Sequence, residues 1–215
     1  MNEVAAKPPS RGRPRSQRKR REILAAAIDL FTRHGYDGAS VDDIAAAAGV
    51  SKQTVYSHFG SKEQLFGLAI STRCRESGID PDDLPLDLPP ERMLPETARN
   101  FIELLTSPGA TRVYAVCTGS ADTRPELGRL VFRHGPQQTV EALARYLAAQ
   151  HRSGTLNVPD PDAAAWQFLG MLKGEAQMRV QFRLEPLDPA ELERYLDSCV
   201  AMFLRAYAPA ENRGS

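Results

Sequence analysis

The chain has 215 residues, of which 42% are hydrophobic and 25% are charged, and its formal net charge is zero. This composition is typical of a folded protein with one small and one medium domain, and it excludes the disordered and membrane-embedded classes. No apolar run is long enough to span a bilayer and the N-terminus lacks the apolar segment of a secretory signal, so we expect a cytoplasmic protein with no membrane partner.

The zero net charge hides an asymmetry between the two parts of the chain. Residues 1–62 carry 11 Lys and Arg against 6 Asp and Glu, whereas the remainder carries 16 against 21. A basic head on an acidic body indicates that only the head meets a polyanion such as DNA.

The first sixteen residues, MNEVAAKPPSRGRPRS, are rich in Pro, Ser and Arg and offer little that is apolar to pack. This predicts a flexible basic arm over residues 1–16. Its cations and those just after it would reach a minor groove or raise affinity through counterion release, with a solvated tail as the alternative. These cations are Arg11, Arg13, Arg15, Arg18, Lys19, Arg20 and Arg21.

Two helices are predicted after the arm. Apolar residues recur at helical spacing from Ile23 to Phe31, and Gly35 supplies a C-terminal stop. Ser40, with Asp43 three residues later, is an N-cap signal for the second helix. The apolar stripe of that helix is narrow and made largely of alanine, which lets a neighbouring helix approach closely.

The third helix follows after a short turn. Gly49 ends the second helix at a position free to take a positive φ, and Ser51 caps the next helix. Gly60 stops this helix, and Ser61 begins a fourth. Helix, three-residue turn with glycine, helix is the helix-turn-helix arrangement, so we expect residues 17–76 to form a three-helix DNA-binding domain.

The third helix has an apolar side and a polar side. Val55 and Phe59 are four residues apart and face the core. The major groove of DNA admits one α-helix, and the N-terminal half of the recognition helix enters it first, so Lys52 and Gln53 are candidates for base edges. The polar residues that follow are suited to contacts with sugar and phosphate. The N-termini of the flanking helices, at Ser40 and Ser61, and the mobile charge of Lys62 are also suited to bind phosphate. The predicted DNA-binding residues are Ser40, Ser51, Lys52, Gln53, Thr54, Tyr56, His58 and Lys62; a solvated helix face is the alternative.

A second domain is expected over residues 77–215. The stretch SGIDPDDLPLDLPP, with its prolines and acidic residues, forbids a continuous helix and marks the link to that domain. Beyond it, helical patterns alternate with breakers and no alternating strand pattern is persuasive, which predicts an all-α fold. The predicted helices cover about residues 90–106, 111–120, 124–133, 136–152, 160–183 and 188–207.

Cysteine and histidine spacing gives no sign of a disulfide, metal or cofactor site. Cys74, Cys117 and Cys199 are far apart and form no CxxC pair, which indicates reduced thiols. The four histidines do not fall at ligand spacing on one helix, so we expect no metal and no cofactor. A redox sensor that uses Cys74 or Cys117 is a further alternative, although neither has a flanking cluster of cations to lower the pKa of its thiol.

The segment REILAAAIDLFTRHGYDGASVDDIAAAAGVSKQTVYSHFGSKEQLF resembles the N-terminal DNA-binding domain of the TetR family of bacterial transcriptional regulators. The resemblance rests on LF followed by GY in the first helix, on the run from SV through AGVS to TVYSHF, and on their spacing. It implies that the eight predicted DNA-binding residues face DNA. A later run, RPELGRLVFRHGPQQTVEALARYLAAQHRSGTLNVPDPDAAAWQFLGMLKG, is similar to the AefR-like C-terminal type of that family.

The resemblance implies a homodimer that an unknown small-molecule effector controls, in the simplest case a repressor released from a double-stranded DNA operator. A dimer that engages two half-sites about 34 to 36 Å apart multiplies affinity and specificity. The last two helices are the natural dimer surface, where Gly170 and Gly174 would let helices approach; packing within one subunit is the alternative. An effector cavity would be lined by Phe101, Leu105, Tyr114, Cys117, Phe132, Trp166 and Met178, each of which has plain core as its alternative.

Two other functions stay open on the sequence alone. The first is a helical small-molecule enzyme. The sequence shows no nucleophile with a base, no paired carboxylates and no phosphate-binding loop that would support it. A nonspecific architectural DNA-binding protein without an effector would gain from positive charge over its whole surface, whereas this body is acidic.

Overall fold

A computed structural model of the chain describes residues 12–76, 78 and 84–209. All regular secondary structure in these residues is α-helical, which confirms the predicted all-α fold. The helices are α1 (Gly12–Gly38), α2 (Val41–Ala47), α3 (Lys52–Phe59), α4 (Lys62–Glu76), α5 (Pro90–Thr106), α6 (Pro108–Gly119), α7 (Pro125–His134), α8 (Pro136–Arg152), α9 (Pro161–Gln181) and α10 (Pro189–Ala206).

Helix α1 begins earlier than the sequence predicted. Residues 1–11 of the predicted arm lie outside the described residues, but 12–16 belong to α1. An ion pair one turn apart, between Arg18 and Glu22 at 2.7 Å, supports this first part of the helix. The predicted stop at Gly35 is a local break, with a φ of 70°, after which one more turn completes α1.

The chain divides into two compact units between Ala69 and Ile70, inside α4. The sequence placed the boundary later, after residue 76, because prolines and acidic residues begin there. Residues 77 and 79–83 of that predicted link lie outside the described residues. A division inside a helix is not marked by a linker-like composition, because α4 runs without interruption through residues 69 and 70.

The core of the first unit is built from α1 to α4. The Phe31 ring meets the Phe66 ring edge-on at 4.8 Å between centroids, and the Tyr36 ring lies 5.0 Å from Phe66. The remaining buried residues come from every helix of the unit and include Ile23, Ala27, Val41, Ile44, Ala45, Val55, Phe59, Leu65 and Ala69. Val55 and Phe59 hold α3 in this core.

The second unit is a bundle in which α9 packs against α5 and α8, and α10 packs against α5 and α9. Its core includes Phe168 and Phe203, whose rings meet edge-on at 4.9 Å. Two buried polar side chains secure the segment before α5, because Tyr146 donates to the carbonyl of Leu88 at 2.7 Å and Gln150 donates to that of Leu86 at 2.8 Å.

Most of the helix bounds in this unit agree with the sequence pattern. Helices α5 and α8 span the predicted residues, 90–106 and 136–152. Helix α6 begins earlier than predicted, at Pro108, because the hydroxyl of Ser107 accepts the N–H of Ala110 at 3.3 Å and caps the helix.

Helix α9 is broken at Gly174, where φ is 36° and ψ is −145°. The hydroxyl of Tyr195 on α10 donates to the carbonyl of Met171 at 2.5 Å beside this break. A Cβ on Gly174 would lie 2.5 Å from that hydroxyl oxygen. The close approach at Gly174 is therefore packing within one subunit, the alternative to the predicted dimer contact. At Gly170, no described atom outside its own stretch of helix lies within 4 Å of a built Cβ, and a dimer contact at either glycine stays a prediction.

Candidate nucleic-acid interface

Helix α2 begins with a reciprocal cap. The Ser40 hydroxyl accepts the N–H of Asp43 at 3.0 Å, and the Asp43 carboxylate accepts the hydroxyl of Ser40 at 2.6 Å and its N–H at 3.3 Å. These bonds, led by the one from the hydroxyl, lower the pKa of Asp43. The predicted N-cap is therefore confirmed, and it fixes the point at which the chain enters the helix-turn-helix.

The turn between α2 and α3 is a Schellman motif. Gly49 has a φ of 63°, its N–H donates to the carbonyl of Ala46 at 3.1 Å, and the N–H of Val50 donates to that of Ala45 at 3.0 Å. The predicted stop at Gly49 is confirmed. This turn sets the angle at which α3 leaves α2.

Helix α3 is capped at both ends. The Ser51 hydroxyl accepts the N–H of Thr54 at 3.2 Å, and the N–H of Gly60, with a φ of 75°, donates to the carbonyl of Tyr56 at 2.8 Å. Val55 and Phe59 are only 2% and 4% exposed, as their spacing predicted. One side of α3 is therefore buried in the core, and the opposite side is exposed to solvent.

Five of the eight predicted DNA-binding residues belong to α3. Lys52, Gln53 and Tyr56 are exposed, and the Tyr56 side chain is 42% exposed despite its ring. Thr54 and His58 are half-buried at the edges of this face. The structure brings these five residues to one short helix, and their contact with DNA stays a prediction.

Lys52 has an acidic partner that the sequence did not indicate. Its Nζ lies 2.8 Å from a carboxylate oxygen of Asp42 on α2, and both side chains are exposed. The hydrogen bond and charge of Asp42 raise the pKa of Lys52. The two residues are ten apart on different helices, so no pattern of helical spacing relates them.

The N-terminus of α4 lies in the same unit. The Ser61 hydroxyl accepts the N–H of Gln64 at 3.2 Å, which confirms that cap. The ammonium of Lys62, predicted as a mobile charge, lies 4.3 Å from the centroid of the Tyr36 ring. The Tyr36 hydroxyl donates to Glu63 at 2.6 Å, and this bond lowers the pKa of the Glu63 carboxyl.

The predicted arm cations are not equivalent. The side chains of Arg11, Arg13 and Arg15 lie outside the described residues. Arg18 pairs with Glu22 on its own helix. Arg20 reaches α3 and donates to the backbone carbonyl of His58 at 3.0 Å, so in this structure it contacts the protein's own helix.

The seven predicted effector residues are dispersed over the second unit. Phe101 belongs to its core and Leu105 packs against that core, while Cys117 is half-buried. The other four are between 43% and 56% exposed, and these are Tyr114, Phe132, Trp166 and Met178. Of these, Phe132 and Trp166 are brought together as parallel rings with centroids 6.0 Å apart.

An open depression of about 570 Å³ lies elsewhere on the second unit. None of the seven effector candidates lines it. Its lining residues are mostly polar or charged and are Arg75, Gln138, Glu141, Ala144, Arg145, Ala148, Pro161 and Asp162. The effector cavity therefore stays a prediction.

Other predicted properties concern metals, thiols and membranes. Among the described residues, no three His, Cys, Asp or Glu side chains are grouped so that they could hold a metal ion. Burial raises the pKa of the Cys74 and Cys117 thiols, and Cys199 is buried and free. None of the helices in the described part of the chain is long and apolar enough to cross a membrane.

Two short capped helices at a glycine turn, the second with an anchored side and a polar side, define a helix-turn-helix DNA-binding protein. Comparison with known families agrees. Residues 23–69 match the profile described as bacterial regulatory proteins, tetR family, and residues 92–209 match the C-terminal domain of AefR-like transcriptional repressors. The chain belongs to the TetR family of bacterial transcriptional regulators.

Individual relatives differ in how much of the chain they match. The transcriptional repressor SCO4008 of Streptomyces coelicolor is 39% identical over 66 residues, which are 29% of this chain and 34% of that protein. The transcriptional activator FasR of Mycolicibacterium smegmatis is 47% identical over 60 residues, which are 28% of this chain and 26% of that protein. The chain thus spans about a quarter to a third of these curated relatives.

Solved structures match over nearly the whole chain. A TetR-family regulator from Mesorhizobium loti is 32% identical with a TM-score of 0.71, covering 90% of this chain and 98% of that one. The flavonoid-responsive regulator FrrA is 31% identical with a TM-score of 0.66, covering 90% of this chain and 99% of that one.

Proposed function

We propose that the chain is a homodimeric repressor that binds an operator through two copies of α3 and leaves it when a small-molecule effector binds the second unit. The observation that carries this proposal is the exposed polar face of α3 above the buried Val55 and Phe59. The AefR-like repressor profile over residues 92–209 supports repression. A curated relative named as an activator makes the sign of regulation a matter for experiment.

In this proposal the residues of α3 divide into two groups. Lys52 and Gln53, in the first turn, reach base edges in the major groove. Thr54, Tyr56 and His58 contact sugar and phosphate, which fixes the register of the protein on the duplex. The N-termini of α2 and α4, at Ser40 and beside Lys62, offer backbone N–H groups to phosphates on either side.

The proposed dimer surface lies on the last two helices and the segment between them. Large apolar side chains there are exposed in the single chain, and Phe182 is 69% exposed. The set comprises Met178, Phe182, Leu184, Tyr195 and Met202. Large apolar side chains exposed on the same two helices and the segment between them favour an interface, and a second copy related by a two-fold axis would bury them on both subunits.

The proposed effector contacts the exposed aromatic pair Phe132 and Trp166, whose parallel rings suit a flat apolar molecule. FrrA, which is similar to this chain over nearly its whole length, is a flavonoid-responsive regulator. An effector with a few kcal/mol of preference for a dimer that no longer matches the half-site spacing is enough to release the operator.

Selection of bound duplexes from a random pool tests the proposal. The full chain should enrich one two-fold symmetric site and hold it at least tenfold more tightly than random duplex at the same salt concentration, since roughly 10³-fold is ordinary for specific regulators. Sedimentation should give two chains for each duplex or a multiple of two. A chain that enriches no sequence is an architectural DNA-binding protein instead.

A further inference from the structure

The C-terminal end of α3 needs support from outside the helix. Eight residues are fewer than an isolated helix needs to persist, and the last carbonyl groups of a helix have no partners within it. The carbonyl of Tyr56 takes the N–H of Gly60 at 2.8 Å, and that of Phe59 takes the N–H of Ser61 at 2.9 Å. Two carbonyls lie between these, on Ser57 and His58, and that of His58 takes its donor from α1.

That donor is Arg20, which holds the last turn of α3 from two directions. Its Nη1 donates to the carbonyl of His58 at 3.0 Å, and its Cζ lies 4.6 Å from the centroid of the Phe59 ring. A cation at a helix C-terminus meets the negative end of the helix dipole, and a guanidinium over an aromatic ring is attracted by the electrons of the ring. Phe59, with Val55, also anchors α3 in the core, so the contact joins one of these anchors to α1.

The neighbours of Arg20 do not share this position. Successive residues of a helix are about 100° apart around its axis, so Lys19 and Arg21 leave α1 in other directions. Both are exposed, and Arg18 is engaged with Glu22 on its own helix. Among the four described cations from Arg18 to Arg21, Arg20 is therefore the one for which a contact with α3 is seen.

We propose that Arg20 is a positioning residue that fixes α3 for DNA binding and contributes no phosphate contact of its own. This inference rests on the proposed role of α3 as the recognition helix. It predicts that replacing Arg20 loosens α3 in the free protein, whereas replacing a cation that only meets phosphate does not.

Amide hydrogen exchange on the free full-length chain tests this inference without DNA. Arg20→Ala should speed exchange at residues 58–61 by about threefold to tenfold, given the modest strength of exposed cation–π and helix-end contacts. Arg20→Lys should also speed it, because lysine keeps the charge but loses the planar group that stacks and donates together. Arg21→Ala, which removes the same charge one residue away, should leave it unchanged. If Arg20→Ala does not fold, Arg20→Lys is compared with wild type and with Arg21→Ala instead.

The salt dependence of DNA binding supplies the second readout, on the duplex selected by the wild-type chain. Arg20→Ala should weaken binding with the slope of log affinity against log salt unchanged. Wild-type exchange at residues 58–61 together with a slope reduced by about 0.9 would show that Arg20 is a phosphate contact, and the inference would be overturned. Failure of the proposed function would give a different result, because the wild-type chain would then select no duplex at all.

Discussion

The glycine at the turn of the helix-turn-helix offers a test of how backbone conformation controls the interface. Gly49 has a φ of 63°, and a Cβ added there would meet no described atom within 4 Å. The cost of a side chain at this position is therefore backbone strain alone, about 1–2 kcal/mol for alanine in the left-handed region. Asparagine tolerates that region better and should cost less, whereas β-branched valine should cost most.

The series Gly49→Asn, Gly49→Ala and Gly49→Val is measured by urea unfolding followed by circular dichroism. The free energy of unfolding should fall in that order, although asparagine is larger than alanine. Gly128→Ala is the matched control, since Gly128 also has open space for a Cβ but lies within α7 without a positive φ. It should stabilise by about 0.5–1 kcal/mol. Equal losses for alanine and asparagine, or a loss at Gly128, would refute the reasoning.

Three more changes have definite expected results. Asp42→Asn frees Lys52 for DNA, so it should tighten binding to random duplex and steepen its salt dependence. Gly174→Ala places a Cβ 2.5 Å from a tyrosine hydroxyl in a backbone region that favours glycine, so the midpoint of thermal unfolding should fall by several degrees. Tyr36→Phe removes the hydrogen bond that lowers the pKa of Glu63, so the mutant should lose less stability than wild type as the pH falls from 7 to 3.

The sign of the pH effect follows from the direction of the shift. A carboxyl whose pKa is lower in the folded state stabilises the protein above its ordinary pKa of 4.5, and that stability is lost as the pH falls through the lower value. If Tyr36→Phe and wild type lost the same free energy of unfolding between pH 7 and pH 3, the predicted role of the Tyr36 hydrogen bond would be contradicted. An unchanged salt slope in Asp42→Asn would show that the ion pair with Asp42 does not restrain Lys52. An unchanged unfolding midpoint in Gly174→Ala would show that the close approach of Tyr195 does not limit the side chain at residue 174.

The sequence predicts those features that depend on residues close together in the chain. Ser40 and Ser51 cap the helices that follow them, Gly49 ends the helix before it, and the four-residue spacing of Val55 and Phe59 identifies the buried side of α3. Each of these signals lies within one or two helical turns. Local hydrogen bonding and helical periodicity therefore suffice to locate the interface.

Contacts between distant residues were not predictable in the same way. Arg20 and His58 are 38 residues apart, and the sequence alone assigns Arg20 to a basic stretch because its charge is visible while its partner is not. Lys52 and Asp42 are another such pair. The exposure of Trp166 was also not predicted, because periodicity identifies the side of a helix but not what covers it.

The central claim is that the polar face of α3 meets DNA. The most direct measurement compares the wild-type chain with a Lys52→Ala, Tyr56→Ala double variant on the selected duplex, at one salt concentration and with circular dichroism to verify folding. We expect the variant to keep its helicity and to bind the duplex at least tenfold more weakly, since each lost contact of this kind costs roughly 1 kcal/mol or more. A folded variant that binds the duplex as tightly as the wild type would contradict the account.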